Sequence, residues 1–136
     1  MRQKGHSLIE LLVVLGVATL LFLSGAPSIL SLHDFWSLHG EASRFAGVLE
    51  QARIRAVLTN TNVRVNSAGD SYHVRQADTE DKAFSLNSGV RFDGQPKYVS
   101  FSSMGTASPG ATFTLVHKSK RIMVVVSPAG RVRVDQ

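Results

Sequence analysis

The sequence predicts an α+β fold, one long N-terminal helix whose second half packs against short antiparallel strands. Three observations carry this expectation. Residues 8–30 form an apolar run with Glu10 as its sole full charge. Leu38, Ala42, Phe45, Leu49, Ala52 and Ala56 then recur at spacings of three or four, which puts them on one helical face. After Asn62 the apolar period changes to two, the pattern of half-buried strands, and a helix followed by a run of strands gives segregated α+β layers. A chain of 136 residues has room for one compact domain and one long appended element.

The apolar run is long enough to cross a bilayer, which takes about 20 residues at ~1.5 Å rise each. Arg2 and Lys4 precede it, so the positive-inside bias places the N-terminus in the cytoplasm and residues 33–136 outside. Two plainer readings compete: a secretory signal peptide cleaved near Ser24-Gly25-Ala26, and a simple signal anchor. Neither accounts for Glu10, because a charge at the bilayer centre costs about 2.5–3.5 kcal/mol on insertion scales. Near the end of the run the cost is smaller, yet the carboxylate still calls for a cationic partner.

Pro27 lies near the outer end of the run, where the missing N–H is expected to kink the helix. Beyond it the amphipathic stripe runs over Leu38–Leu58, with Glu41, Arg44, Glu50, Arg53 and Arg55 expected off the apolar face. The helix is expected to end near Asn60, since Thr59-Asn60-Thr61-Asn62 favours turns. Strands are expected at Val63–Val65, Ser71–Arg75, Val90–Phe92, Tyr98–Phe101, Thr112–Val116, Arg121–Ser127 and Arg131–Val134. Turn clusters such as Ala68-Gly69-Asp70 and Ser127-Pro128-Ala129-Gly130 separate them. Gln76–Lys82 is polar and acidic and reads as a loop.

Composition removes several functions. Without cysteine there are no disulfides, thiolate metal sites or cysteine nucleophiles. His6, His33, His39, His73 and His117 show no metal-ligand spacing. Ser102-Ser103-Met104-Gly105 is not a nucleophile elbow, and Gly105–Gly110 lacks the lysine of a phosphate loop. No catalytic residue, metal site or cofactor is read from the chain. Trp36, beside Phe35, reads as a membrane-interface anchor.

Charge is unevenly spread. From Lys97 to Gln136 there are six basic residues (Lys97, Lys118, Lys120, Arg121, Arg131, Arg133) against one acid, Asp135, whereas Gly5–Pro96 has seven against nine. On a strand, Arg131 and Arg133 share a face about 6.5–7 Å apart, close to the spacing of adjacent phosphates on a nucleic-acid strand. Arginine's planar fork suits phosphate. Lys118, Lys120 and Arg121, in the preceding hairpin turn, would extend such a surface. The competing reading is that basic residues on a last strand protect its edge from aggregation.

Lys4-Gly5-His6-Ser7-Leu8-Ile9-Glu10-Leu11 resembles the type III signal of type IV pilins and type II secretion pseudopilins. The resemblance implies that prepilin peptidase removes residues 1–5 as a cytoplasmic leader, cutting between Gly5 and His6, with N-methylation at His6. His6 departs from the usual Phe or Met. It further implies that residues 6–32 form the transmembrane and filament-core helix, that Pro27 bends this helix without ending it, and that Glu10 neutralises the N-terminal amine of a neighbouring subunit. Residues 33–136 become a periplasmic, type IV pilin-like domain.

The C-terminal half resembles the GspH/FimT group, on Phe101-Ser102-Ser103-Met104-Gly105, Gly110-Ala111-Thr112-Phe113-Thr114-Leu115, Val124-Val125-Val126 and Gly130-Arg131-Val132-Arg133, with Ala52-Arg53-Ile54-Arg55-Ala56-Val57 on the helix. This implies a non-catalytic minor subunit, single-pass in the bacterial inner membrane, assembling with other major and minor pilins or pseudopilins. Two roles stay open. One is structural, at the tip of a type II secretion pseudopilus or type IV pilus. The other is binding of double-stranded DNA through Gly-Arg-x-Arg for natural transformation, as in FimT-like members.

Overall fold

A computed structural model of the chain describes residues 7–76, 79–87 and 89–135; nothing beyond helix assignment is described for 23–32, nor side chains for 79–80. The expected cleavage site at Gly5 and His6 therefore lies outside the described residues, while at Pro27 only the helix assignment is described. The helix α1 (Leu8–Thr59) is assigned without interruption. The chain divides into two compact units between Asp34 and Phe35.

In the first unit α1 starts just after Ser7, whose carbonyl accepts from the amides of Glu10 and Leu11. Leu8, Ile9, Leu12, Val13, Val14, Val17, Leu20 and Phe22 are all exposed. Apolar residues thus cover every side of this half, as in a helix that lies in lipid or among other helices. Thr19 returns its hydroxyl to the carbonyls of Leu15 and Gly16 at 2.8 and 2.9 Å, so it leaves no unsatisfied donor in an apolar setting. Among the described residues no helix is long and apolar enough to cross a membrane; the described apolar part stops at Phe22, short of the Leu8–Leu30 run.

The second unit contains all the buried hydrophobic residues described, from Leu38 to Val126. Among the described residues nine strands follow the helix: β1 (Val63–Ala68), β2 (Ser71–Gln76), β3 (Thr79–Ser85), β4 (Val90–Asp93), β5 (Lys97–Phe101), β6 (Ala107–Ser108), β7 (Ala111–His117), β8 (Lys120–Val126) and β9 (Val132–Asp135). They form a five-stranded sheet, β3-β2-β1-β5-β6, and a four-stranded sheet, β4-β7-β8-β9, with antiparallel pairing throughout.

The stripe read from the sequence is the buried face of α1: Leu38, Ala42, Phe45, Leu49, Ala52 and Ala56 are at most 3% exposed. Phe45 is the hub. Its ring meets Tyr72 of the five-stranded sheet and Phe92 and Phe113 of the four-stranded sheet edge-on, at 5.0–5.1 Å. One helical side chain therefore joins both sheets, in the geometry aromatic rings prefer. Glu41, expected off the stripe, is buried; it stands one turn after Leu38 and one before Phe45, on the flank of the same face. Its Oε1 lies 3.7 Å from Arg44 Nη1.

The helix stops where the sequence suggested. Asn60 takes a left-handed conformation, its amide reaches the Val57 carbonyl, and the Thr61 amide reaches Ala56. These two bonds satisfy the last carbonyls in a Schellman termination. One expectation among the strands needs correction. Much of Gln76–Lys82, read as a loop, belongs to strand: β2 continues through Gln76 and β3 begins at Thr79. Arg75 holds Asp81 with a forked pair of bonds at 2.6–3.0 Å, and Phe84 stacks on Tyr72 at 5.1 Å. Charged residues suit an edge strand. The short β6, which pairs with Ser100 and Phe101, was not anticipated.

Candidate functional site

Arg131 and Arg133 are presented by the hairpin between β8 and β9. The Gly130 amide donates to the Ser127 carbonyl at 2.8 Å, the Ser127 amide to the Arg131 carbonyl at 3.0 Å, and the Arg131 amide to Ser127 Oγ at 3.2 Å. Gly130 has φ +79°, so the three-residue loop closes on a left-handed residue that glycine occupies without strain.

This turn is anchored from two distant segments. Arg53 Nε on α1 donates to the Gly105 carbonyl at 3.0 Å, while Arg53 Nη1 pairs with Glu50 at 3.3 Å. Gly130 lies directly against that same carbonyl: a Cβ there would be 2.0 Å from Gly105 O and 2.9 Å from Arg53 Nε. Three of the sequence elements that resemble the GspH/FimT group thus meet at one point: the Ala52–Val57 helix segment, Phe101–Gly105 and Gly130–Arg133.

The strand register decides which basic side chains act together. On the outer face of the four-stranded sheet, Arg91 of β4 and Arg121 of β8 both pair with Val116 of β7. Arg133 pairs with Val125 on the same face, four residues farther along β8 from Arg121, about 13–14 Å along the strand. Arg91, Arg121, Arg131 and Arg133 are all exposed. Arg91 was missed because it belongs to another strand, and only the non-local β4–β7 pairing brings it beside Arg121. Acids lie between: Asp93 pairs with Thr114 on this face, and Asp135 Oδ2 lies 3.5 Å from Arg133 Nε.

The other two candidates are placed differently. Lys120 pairs with buried His117, on the helix-facing side, with its ammonium 5.3 Å from the centre of the Phe35 ring. Lys118 is exposed in the β7–β8 turn at φ +54°, at the end of β8 opposite Arg131. The structure therefore brings Arg131 and Arg133 together, aligns Arg121 with them across the face, and gathers neither lysine with them.

Beside this face is a groove of about 480 Å³, lined by Ala46, Gly47, Glu50 and Arg53 of α1 and by 131–134. In the first unit, Glu10 is exposed in the first turn of α1, where the helix dipole favours a carboxylate. Among the described residues no group of His, Cys, Asp or Glu is arranged to hold a metal ion.

A long N-terminal helix packed on antiparallel sheets is the architecture of a pilin-like protein. The chain belongs to the GspH family, described as type II transport protein GspH, whose match spans residues 41–130. Residues 1–26 match the prokaryotic N-terminal methylation motif. The fold is similar to that of the type IV minor pilin FimU of Pseudomonas aeruginosa in two crystal forms, with TM-scores of 0.59 and 0.61 at 17% identity. The similarity covers 73% of this chain and 93% and 88% of those chains. A search of curated protein sequences finds no match. The class is therefore a minor pilin or pseudopilin of a type IV pilus or type II secretion system.

Proposed function

We propose that this subunit is processed between Gly5 and His6, anchors in the inner membrane through α1, joins a filament with other pilins or pseudopilins, and captures double-stranded DNA on its four-stranded sheet. The observation that carries the DNA reading is the register that aligns Arg91, Arg121 and Arg133 on one exposed face, with Arg131 at the end of β9. Guanidinium groups on a rigid sheet suit phosphate oxygens and carry no base code, so binding is to the backbone, weakly dependent on sequence and strongly dependent on salt. Glu10 pairs with the N-terminal amine of a neighbouring subunit, and Trp36, which is exposed, rests at the membrane surface. The subunit is not catalytic.

The test is a gel-shift titration of the Phe35–Gln136 unit against duplex DNA at several salt concentrations. Wild type is expected to bind with a steep salt dependence. Each of Arg91→Gln, Arg121→Gln and Arg133→Gln should reduce the slope of log affinity against log salt by about one, and Arg131→Gln/Arg133→Gln should bind worst. Absence of a shift at low salt overturns the DNA reading. One observation favours the second reading, a purely structural tip subunit: Asp93 and Asp135 lie on the same face, and Asp135 Oδ2 stands 3.5 Å from Arg133 Nε.

A further inference from the structure

The free edge of β9 supports an inference that does not depend on DNA binding. In an antiparallel pair, hydrogen-bonded and non-hydrogen-bonded residue pairs alternate. The bond from the Ser127 amide to the Arg131 carbonyl makes that pair a hydrogen-bonded one. With Val126 opposite Val132 and Val125 opposite Arg133, the backbone groups of Arg133 and Asp135 also point toward β8. Those of Val132 and Val134 therefore point away from it, at the edge of the sheet, and no described strand pairs with them.

This edge forms one wall of the 480 Å³ groove, and α1 forms the other with two small residues, Ala46 and Gly47. A Cβ added at Gly47 would meet nothing within 4 Å, so the space above the helix is open. The groove lining carries three arginines, Arg53, Arg131 and Arg133, against one glutamate, Glu50.

We infer that the groove between α1 and β9 accepts an extended segment of a partner subunit, added as a fifth strand beside β9 and carrying alternating apolar and acidic residues. The alternation follows from the pleat. A strand beside β9 turns every second side chain to the side of Val132 and Val134, which are partly buried against the core, and the others to the side of Arg131 and Arg133. Cross-strand pairing then sets acids against the two arginines. Main-chain bonds to Val132 and Val134 supply affinity, and the arginines supply selectivity, as in other strand-addition complexes.

The test uses the Phe35–Gln136 unit and a capped peptide of alternating valine and glutamate, followed by calorimetry and by amide NMR. Binding is expected, with the Val132 and Val134 amides shifting and exchanging more slowly with solvent. A peptide with lysine for glutamate, a peptide N-methylated at alternate residues, and the variant Val134→Pro should each lose affinity by at least about tenfold. The proline removes an N–H that points away from β8, so pairing within the sheet is kept; the N-methylated peptide gives the same information on unaltered protein. Equal binding of the N-methylated peptide would reduce the contact to ion pairing and overturn the proposal, as would absence of binding.

Discussion

Replacing Gly130 by alanine tests the convergence of α1, the Phe101–Gly105 segment and the β8–β9 turn. Two terms add. The left-handed backbone at φ +79° costs an L-residue with Cβ about 1–2 kcal/mol. The new methyl would also stand 2.0 Å from the Gly105 carbonyl oxygen, which cannot remain where it is. Moving it breaks the bond from Arg53 Nε, and a hydrogen bond to a charged donor is worth about 1.5–3 kcal/mol. The sum is about 2.5–5 kcal/mol, large for a single methyl group. Gly69→Ala is the control, since Gly69 has φ +60° and open space around its Cβ position; it should lose only the backbone term, about 1–2 kcal/mol. Urea unfolding of the Phe35–Gln136 unit measures both. If Gly130→Ala costs no more than Gly69→Ala, the carbonyl is not held against Gly130 and the anchored-turn argument fails.

Other expectations follow from the same packing. Phe45→Ala removes the ring that joins both sheets and should cost about 3–5 kcal/mol in urea unfolding; a loss under about 1 kcal/mol would remove Phe45 from the centre of the core. The Tyr72 hydroxyl is buried with no hydrogen-bond partner among the described residues, so Tyr72→Phe should leave stability unchanged or raise it by about 1 kcal/mol. A clear destabilisation would reveal a bond to that hydroxyl. The hydrogen bond from Arg75 holds the Asp81 carboxyl below its ordinary value of 3.8. A depressed folded-state value means that the stabilisation is present above that ordinary value and is lost as pH falls through the lowered one. The pair is exposed, so the gap in urea midpoint between wild type and Asp81→Asn should be small near neutrality and should close in acid; a gap that widens in acid contradicts the assignment.

Much of this molecule was legible because its patterns are local. The Leu38–Ala56 stripe gives its period within a few turns, and the Thr59–Asn62 cluster marks the end of α1 by its own turn chemistry. Strand β3 was hidden because it is a polar edge strand: Asp81, Lys82 and Ala83 are all exposed, so there is no alternation to read. Glu41 was misjudged because charge was taken as a sign of exposure, although its spacing from Leu38 and Phe45 already placed it on the buried flank. Side-chain parity along β8 separates Lys120 from Arg121, which the sequence could have told. Arg91 could not have been found that way, because its neighbour Arg121 is reached only through two strand pairings. The three-way contact of Arg53, Gly105 and Gly130 was legible as resemblance and not as geometry.

The central claim, a pilin-type subunit, is tested most directly at the N-terminus. The full chain should be produced with and without prepilin peptidase, extracted from membranes and measured as an intact mass. The expected result is a peptidase-dependent loss of residues 1–5, leaving His6 as the first residue. A chain that keeps its leader in the presence of the peptidase, or that is cut instead beside Ser24-Gly25-Ala26, would contradict the account and return the apolar run to a plain anchor or an ordinary secretory signal.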